Sequence, residues 1–421
     1  MATGSAVLAL AIIAGNAISF AALPLLARLY SPQDFGTFGF IISWTTILGV
    51  LFTLRYEAVI PITNSVDAAC NLVRRSINRM LLYSAPLVGL LLIVDRLGCA
   101  PSKFLLVELL FGIWAAFAAS YFAIGRAVHQ RMDSYSIIAT STILRSGVFV
   151  GLAVLLAFMT IAIELSGSVA LLLASVMSLL VPGLIYHATA NPTFRRALLP
   201  GHKLVAADSN FSDAALRKVS TAFVLSQISF QLPLWIVMLL YGSAATGWVT
   251  MSYRLAMFPS DIICGSIALI LARRIADSIF SHPERLRADR TLLALFLTGN
   301  FLLFGLLGGL IWLAAGPLLG PQWREAAPVM AMLASIGLSF TIQPIVIQIL
   351  GLLKLEAQVL TITLTHIVLM LGGAALVAAL AIDLTSAVFG LMLLEVLFSA
   401  VLTCYAMHVT RLHQSAVSVL T

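Results

Sequence analysis

The sequence predicts an all-α polytopic membrane protein with about twelve spanning helices and both termini in the cytoplasm. Three observations carry this expectation. Of 421 residues, 61% are hydrophobic and only 10% charged, with a mean hydropathy of +1.05. A soluble chain is nearer half apolar and about a quarter charged. Apolar runs of about 20 residues, the length a helix needs to cross a bilayer, recur from end to end. The short alternating segments of a closed barrel are not seen. Finally, the basic residues are sorted between alternate loops.

Charge-poor runs place the spans near 4–27, 35–56, 77–97, 103–125, 138–160, 168–189, 219–241, 244–270, 291–315, 326–350, 357–381 and 384–408. Ser31 is suited to cap the second span and Pro32 to open its first turn. Longer polar breaks fall at 61–76, 190–218 and 272–290. Of the 24 Lys and Arg, 19 fall in or beside the even-numbered loops and the C-terminal tail, and 4 in or beside the odd-numbered loops; the remaining one, Arg254, lies deep inside a span. Such a bias assigns the even loops and both ends to the cytoplasm.

The same reading narrows the function classes. The net charge of +7 sits in short loops between spans, so topology accounts for it and no nucleic-acid partner is expected. Cys70, Cys99, Cys264 and Cys404 are scattered, with no CxxC pair and no His at ligand spacing; no disulfide, metal site or cofactor is expected. The start, MATGSAVLALAIIAG, has no basic n-region and reads as a first span rather than a signal peptide. No odd loop is long enough to build an extramembrane catalytic site, which argues against a membrane glycosyltransferase or polymerase.

Six spans per half return the chain to its starting side, so the halves can be parallel repeats. LYSPQDFGTFGF (29–40) and LYGSAATGWVTM (240–251) align without gaps, pairing Leu29 with Leu240, Tyr30 with Tyr241 and Gly36 with Gly247. Both stretches link the first and second span of their half. The expected division is an N-lobe over 1–190, a cytoplasmic linker over 191–218 and a C-lobe over 219–421, with a site between the lobes near the midplane.

ALPLLARLYSPQDFGTFGF (22–40), followed by TLRYEAVIP (53–61), resembles the N-terminal signature of the polysaccharide-transport branch of the multidrug/oligosaccharidyl-lipid/polysaccharide exporter superfamily. LYGSAATGWVTMSYRLAMFPSDII (240–263) and LLGPQWREAAPVMAML (318–333) are similar to later blocks of the same branch. The resemblance covers nearly the whole chain. It implies a two-lobe fold of six helices each, MATE-like, and a flippase for polyprenyl-(pyro)phosphate-linked oligosaccharide in the bacterial inner membrane. The implied partners are that substrate, membrane lipids and the polymerase or ligase proteins of surface-polysaccharide synthesis.

An anionic phosphate and a hydrophilic glycan need a wet polar route, and Arg matches phosphate through its planar donor fork. Arg254 is the sharpest candidate, too deep in the eighth span to snorkel; Asp261 lies seven residues on, about 10 Å further along one helical face. The plainer reading is an ion pair between Arg254 and Glu395 or Glu108. Arg145 follows hydroxyl residues near the start of the fifth span and otherwise reads as an interfacial anchor. Arg55 and Glu57 close a run, 35–54, that holds no charge at all. Two residues apart, they point to different sides if the helix continues, so they are expected not to pair; a role at the cytoplasmic mouth, as substrate contact or gate latch, stands beside a plain anchor with Tyr56 in the aromatic belt. Arg28, at the far end of the first span, is the weakest candidate.

His366 is the candidate for proton coupling, against a buried His bonded to a neighbouring Thr. Asn16 and Gln343 read as interhelical hydrogen-bonding groups. HQRMDSYSII (129–138) reads as an interfacial segment and Trp323 as an outer-interface anchor. The rival function is a cation-coupled drug exporter of the same superfamily. The first span, however, carries no Asp or Glu, and the intramembrane balance leans basic.

Overall fold

A computed structural model describes residues 2–63, 65–97, 103–163, 165–199, 213–263, 286–334, 337, 341, 346 and 356–420. Among these, all regular structure is helical: α1 Ala2–Ala21, α2 Leu23–Leu29, α3 Pro32–Thr53, α4 Tyr56–Val59, α5 Val66–Arg96, α6 Lys103–Arg131, α7 Tyr135–Ile163, α8 Gly167–Thr189, α9 Pro192–Ala197, α10 Asp213–Ile263, α11 Leu286–Ala314, α12 Ala327–Leu333, α13 Glu356–Ala379 and α14 Leu384–Leu420. Ten stretches of the described residues are long and apolar enough to cross a membrane, which makes this a polytopic membrane protein. One of them, Phe223–Ser260, contains two of the expected spans, broken at Gly242. The expected span over 326–350 lies mostly outside the described residues, as does Gln343.

The chain divides into two compact units, Met1–Ile228 and Ser229–Thr421. The division falls within the first arm of α10, not in a loop. In the first unit α6 packs on α8, α7 on α1 and α8, and α3 on α6. These approaches use missing side chains: a Cβ on Gly125 would lie 2.8 Å from Tyr186, and one on Gly112 2.7 Å from Ile41. Small residues at helix contacts are how spans pack where lipid removes the hydrophobic drive between them. In the second unit α11 packs on α12, and α12 and α13 pack on α14.

The corner before α3 is built as its residues dictate. Ser31 caps the helix by accepting from the Asp34 amide, Asp34 accepts from the Ser31 amide at 3.0 Å, and Pro32 takes the first turn. At the corresponding corner of α10, Gly242 has φ 83° and ψ −173°, a conformation open essentially to glycine alone. The tyrosines that precede the two corners do the same thing. The Tyr30 hydroxyl donates to the Ala153 carbonyl at 2.6 Å, and the Tyr241 hydroxyl to the Ile382 carbonyl at 2.7 Å. Ala153 lies in the fifth span of its half; Ile382 lies just past the fifth span of the other. Both hydroxyls thus tie the first corner to the fifth span of the same half.

Several local expectations are corrected. Helix α5 begins at Val66 rather than 77, because Leu72, Val73, Ile77 and Met80 form a buried stripe beneath the charged face. Trp323 is fully buried in the turn Pro321–Trp323 and is no interfacial anchor. The 129–138 segment is not simply interfacial. His129 is buried between the Gly125 carbonyl and the Thr189 hydroxyl, each at 2.9 Å, and Arg131 donates to the Ile60 and Thr63 carbonyls.

Candidate functional site

The Arg-Tyr-Glu block does not continue a helix. Helix α3 stops at Thr53, and Leu54 and Arg55 both adopt left-handed backbone, φ 45° and 60°. Each such non-glycine residue costs about 1–2 kcal/mol, so the neighbours must hold the reversal. The reversal overturns the expectation that Arg55 and Glu57 point apart: a guanidinium nitrogen of Arg55 lies 3.7 Å from a Glu57 carboxylate oxygen. The other Glu57 oxygen, Oε2, is buried without a hydrogen-bond partner among the described residues. The Arg55 guanidinium also lies over the Phe223 ring, 3.9 Å from its centre, and the Ser220 hydroxyl donates to the Leu54 carbonyl at 2.7 Å. Phe223 and Ser220 belong to the start of α10. Tyr56 is 1% exposed and receives a hydrogen bond from Arg79, so it is a core residue and not part of an aromatic belt. This end of α3 is a joint that grips α10.

Arg145 is exposed, ten residues and about 15 Å into α7, and lies 5.8 Å from the centre of the Phe122 ring. Arg28 is exposed in the last turn of α2. In the second unit, Arg254 is partly exposed on the second arm of α10, which runs through Pro259. The side chain of Asp261, on the same arm, lies outside those described.

The acids of the spans are placed differently. Glu108 is 7% exposed and accepts from the Ser168 hydroxyl; Glu395 is 3% exposed and lies 3.1 Å from His366 Nε2. Each of these acids thus has a partner within its own unit: Ser168 for Glu108 and His366 for Glu395. His366 is bonded not to a Thr of its own helix but to the Ser229 hydroxyl through Nδ1, and it stacks on Phe398 with ring centres 4.2 Å apart. Phe223, Ser220 and Ser229 were not singled out from sequence. A Ser or Phe in an apolar run gives no signal until its partner, far away in sequence, is known. Glu395 had a signal: an acid in a span must find a partner, and His366 sits on the preceding span.

The fold these residues share is that of the multidrug/oligosaccharidyl-lipid/polysaccharide (MOP) transporters. An inward-facing multidrug resistance MATE family transporter of that superfamily is similar over 96% of this chain and 94% of its own, with TM-score 0.64 and 15% identity. The lipid II flippase MurJ, in an inward closed conformation, is similar over 97% and 88%, with TM-score 0.66 and 12% identity. A MOP superfamily transporter from Pyrococcus furiosus, described as having a binding pocket of reverse polarity, is similar over 99% and 96%, with TM-score 0.61 and 15% identity. No protein-family model matches the chain, and no curated protein matches it in sequence.

Proposed function

We propose that this chain is a transporter, not an enzyme, that turns a polyprenyl-(pyro)phosphate-linked oligosaccharide across the bacterial inner membrane by alternating access, for surface-polysaccharide synthesis. The observation that carries the reading is the sorting of charge by sign. Among the described side chains well inside the spans, Glu108 and Glu395 are buried and bonded, whereas Arg145 and Arg254 keep exposed surface. Spans that expose cations and bury acids suit an anionic headgroup and oppose a cationic drug.

In this reading Arg254 and Arg145 meet the phosphate in passage, and Arg28 receives it at the far side. Arg55 is committed to Glu57 and Phe223, which favours a gate over a phosphate ligand; Glu57 belongs to that gate, and Asp261 to an ion pair on the Arg254 helix. The oligosaccharide's onward partners are a polymerase or ligase.

The test is reconstitution into liposomes with a polyprenyl-pyrophosphate oligosaccharide, scoring the leaflets with an enzyme that reaches one side. Losing a charge-assisted contact of about 1.5–3 kcal/mol predicts that Arg254→Ala slows movement about 10- to 100-fold, with Arg254→Lys between it and wild type. Cationic-dye efflux without lipid movement in the same vesicles would establish the drug-exporter alternative.

A further inference from the structure

The second unit carries an apolar recess that the phosphate contacts do not use. Helices α11 and α14 both pack on α12, and beside them opens a groove of about 640 Å³, within the range of single-ligand sites. Gly305, Gly309 and Trp312 of α11 line it, with Ala331 of α12 and Phe389 and Leu393 of α14. All but Ala331 are exposed. Among the described residues nothing fills the space over α11: a Cβ on Gly305 or Gly309 would meet no other group within 4 Å. Toward α12 the packing is tight, since a Cβ on Gly308 would lie 2.8 Å from the Ala331 carbonyl oxygen.

The groove runs in from one end of the spans. It is lined by the last three turns of α11 and early turns of α14, so it starts where α11 ends and α14 begins, and it reaches about 14 Å inward. At that end stand one cation and two acids, all exposed: Arg324 and Glu325 before α12, and Asp383 before α14. The stem of Arg324 lies on Gly316, where a Cβ would be 3.5 Å from the Arg324 Cγ, and Gly316 is one turn beyond Trp312. A hydrocarbon chain entering from the membrane surface thus finds an apolar slot, with charges of both signs at its mouth.

We propose that this groove holds one acyl chain of a phospholipid whose headgroup carries both a phosphate and a primary ammonium, of the phosphatidylethanolamine kind. The site needs only that these helices span a membrane, and it goes beyond the transporter reading. Left empty, the slot would forfeit dispersion contacts along both walls, and water in it would find few polar partners. Hydrocarbon fills it at no such cost. The rim then chooses among lipids. The Arg324 guanidinium suits the phosphate, and the carboxylates of Glu325 and Asp383 suit an ammonium that can donate hydrogen bonds. A headgroup of net negative charge would bring its phosphate to the same acids with nothing to pair them. A quaternary ammonium has no N–H to offer.

The experiment places the full chain in phosphatidylcholine vesicles that contain a small, equal content of one lipid with brominated acyl chains, which quench nearby tryptophan. Quenching that disappears in Trp312→Phe reports the groove, since Trp312 lines it. The brominated ethanolamine lipid should quench Trp312 about threefold more than brominated phosphatidylglycerol or phosphatidylcholine, the scale of one exposed charge pairing. Glu325→Gln with Asp383→Asn should level the three lipids, and Gly309→Leu should bring Trp312 quenching to the same low level for all. Equal quenching by the three in wild type overturns the proposal and leaves ordinary boundary lipid. So does a preference for the glycerol lipid, or undiminished quenching in Gly309→Leu. Relief of the quenching by an unbrominated polyprenyl-diphosphate lipid, but not by unbrominated ethanolamine lipid, also overturns it and gives the groove to the substrate tail. If Gly309→Leu does not fold, the headgroup comparison in wild type decides alone.

Discussion

Replacing Arg55 with Ala removes one side of the joint between α3 and α10, and its effect can be worked out contact by contact. The Arg55 side chain is 32% exposed. Its pairing with Glu57 at 3.7 Å is long and partly screened, so its contribution is about 0.3–0.5 kcal/mol. The stacking on Phe223 at 3.9 Å contributes about 0.5–1 kcal/mol at such exposure. Together these make local opening about 1 kcal/mol easier, or roughly fivefold. Hydrogen–deuterium exchange in nanodiscs reads that opening directly. Amides of residues 54–59 and of the first turns of α10 should exchange about fivefold faster in Arg55→Ala. Phe223→Ala should do much the same. The double variant should fall short of the product of the two by about two- to fivefold, since the shared contact can be lost only once. Multiplicative effects, or acceleration confined to 54–59 with α10 unchanged, would show that the joint does not hold α10.

Two further outcomes follow from the same geometry. Tyr30→Phe leaves the buried Ala153 carbonyl without its hydroxyl donor and should destabilise by about 1 kcal/mol in denaturant titration. Tyr241→Phe, which is half-buried, should cost less, and a neutral Tyr30→Phe would mean that the corner is held by packing alone. Asp383 caps α14 by accepting from the Ser386 amide, and its hydrogen bonds with Ser386 hold its carboxyl below the ordinary value of 3.8. A carboxylate held below its unfolded value stabilises above that value and loses its effect as pH falls through the folded one. The first turn of α14 should therefore begin to fray below about pH 4, as read by exchange, and Asp383→Asn should remove most of that dependence.

What the sequence revealed was mostly what composition and period control. Apolar runs located the spans because lipid forces backbone groups into helices. Tyr30 and Tyr241 marked the repeat, and the structure adds a reason for that match, since each hydroxyl bonds a carbonyl in or just past the fifth span. Boundaries were misjudged where charge was taken to end a helix: Arg74, Arg75 and Arg79 all lie within α5, which starts at Val66. The Arg55–Glu57 pair was missed because helical spacing was applied across two left-handed residues, and neither Leu nor Arg advertises that conformation. Trp323 was misplaced because its amphipathic ring suits an interface as well as a core. Partners such as Ser220, 166 residues from Leu54, are set by topology alone.

The separation of charges also bears on the proposed transport of an anionic lipid. An exposed acid beside Arg254 would compete with substrate phosphate for the same guanidinium and weaken binding. Glu395, 3% exposed, lies 3.1 Å from His366 Nε2 rather than at the surface. The His366 imidazole stacks on Phe398, with ring centres 4.2 Å apart. It also turns one face toward Ser229 on the helix that begins at the Arg55 joint. In this arrangement, Glu395→Gln should leave movement of the anionic lipid in liposomes within about twofold of wild type, whereas Arg254→Ala should slow it about 10- to 100-fold.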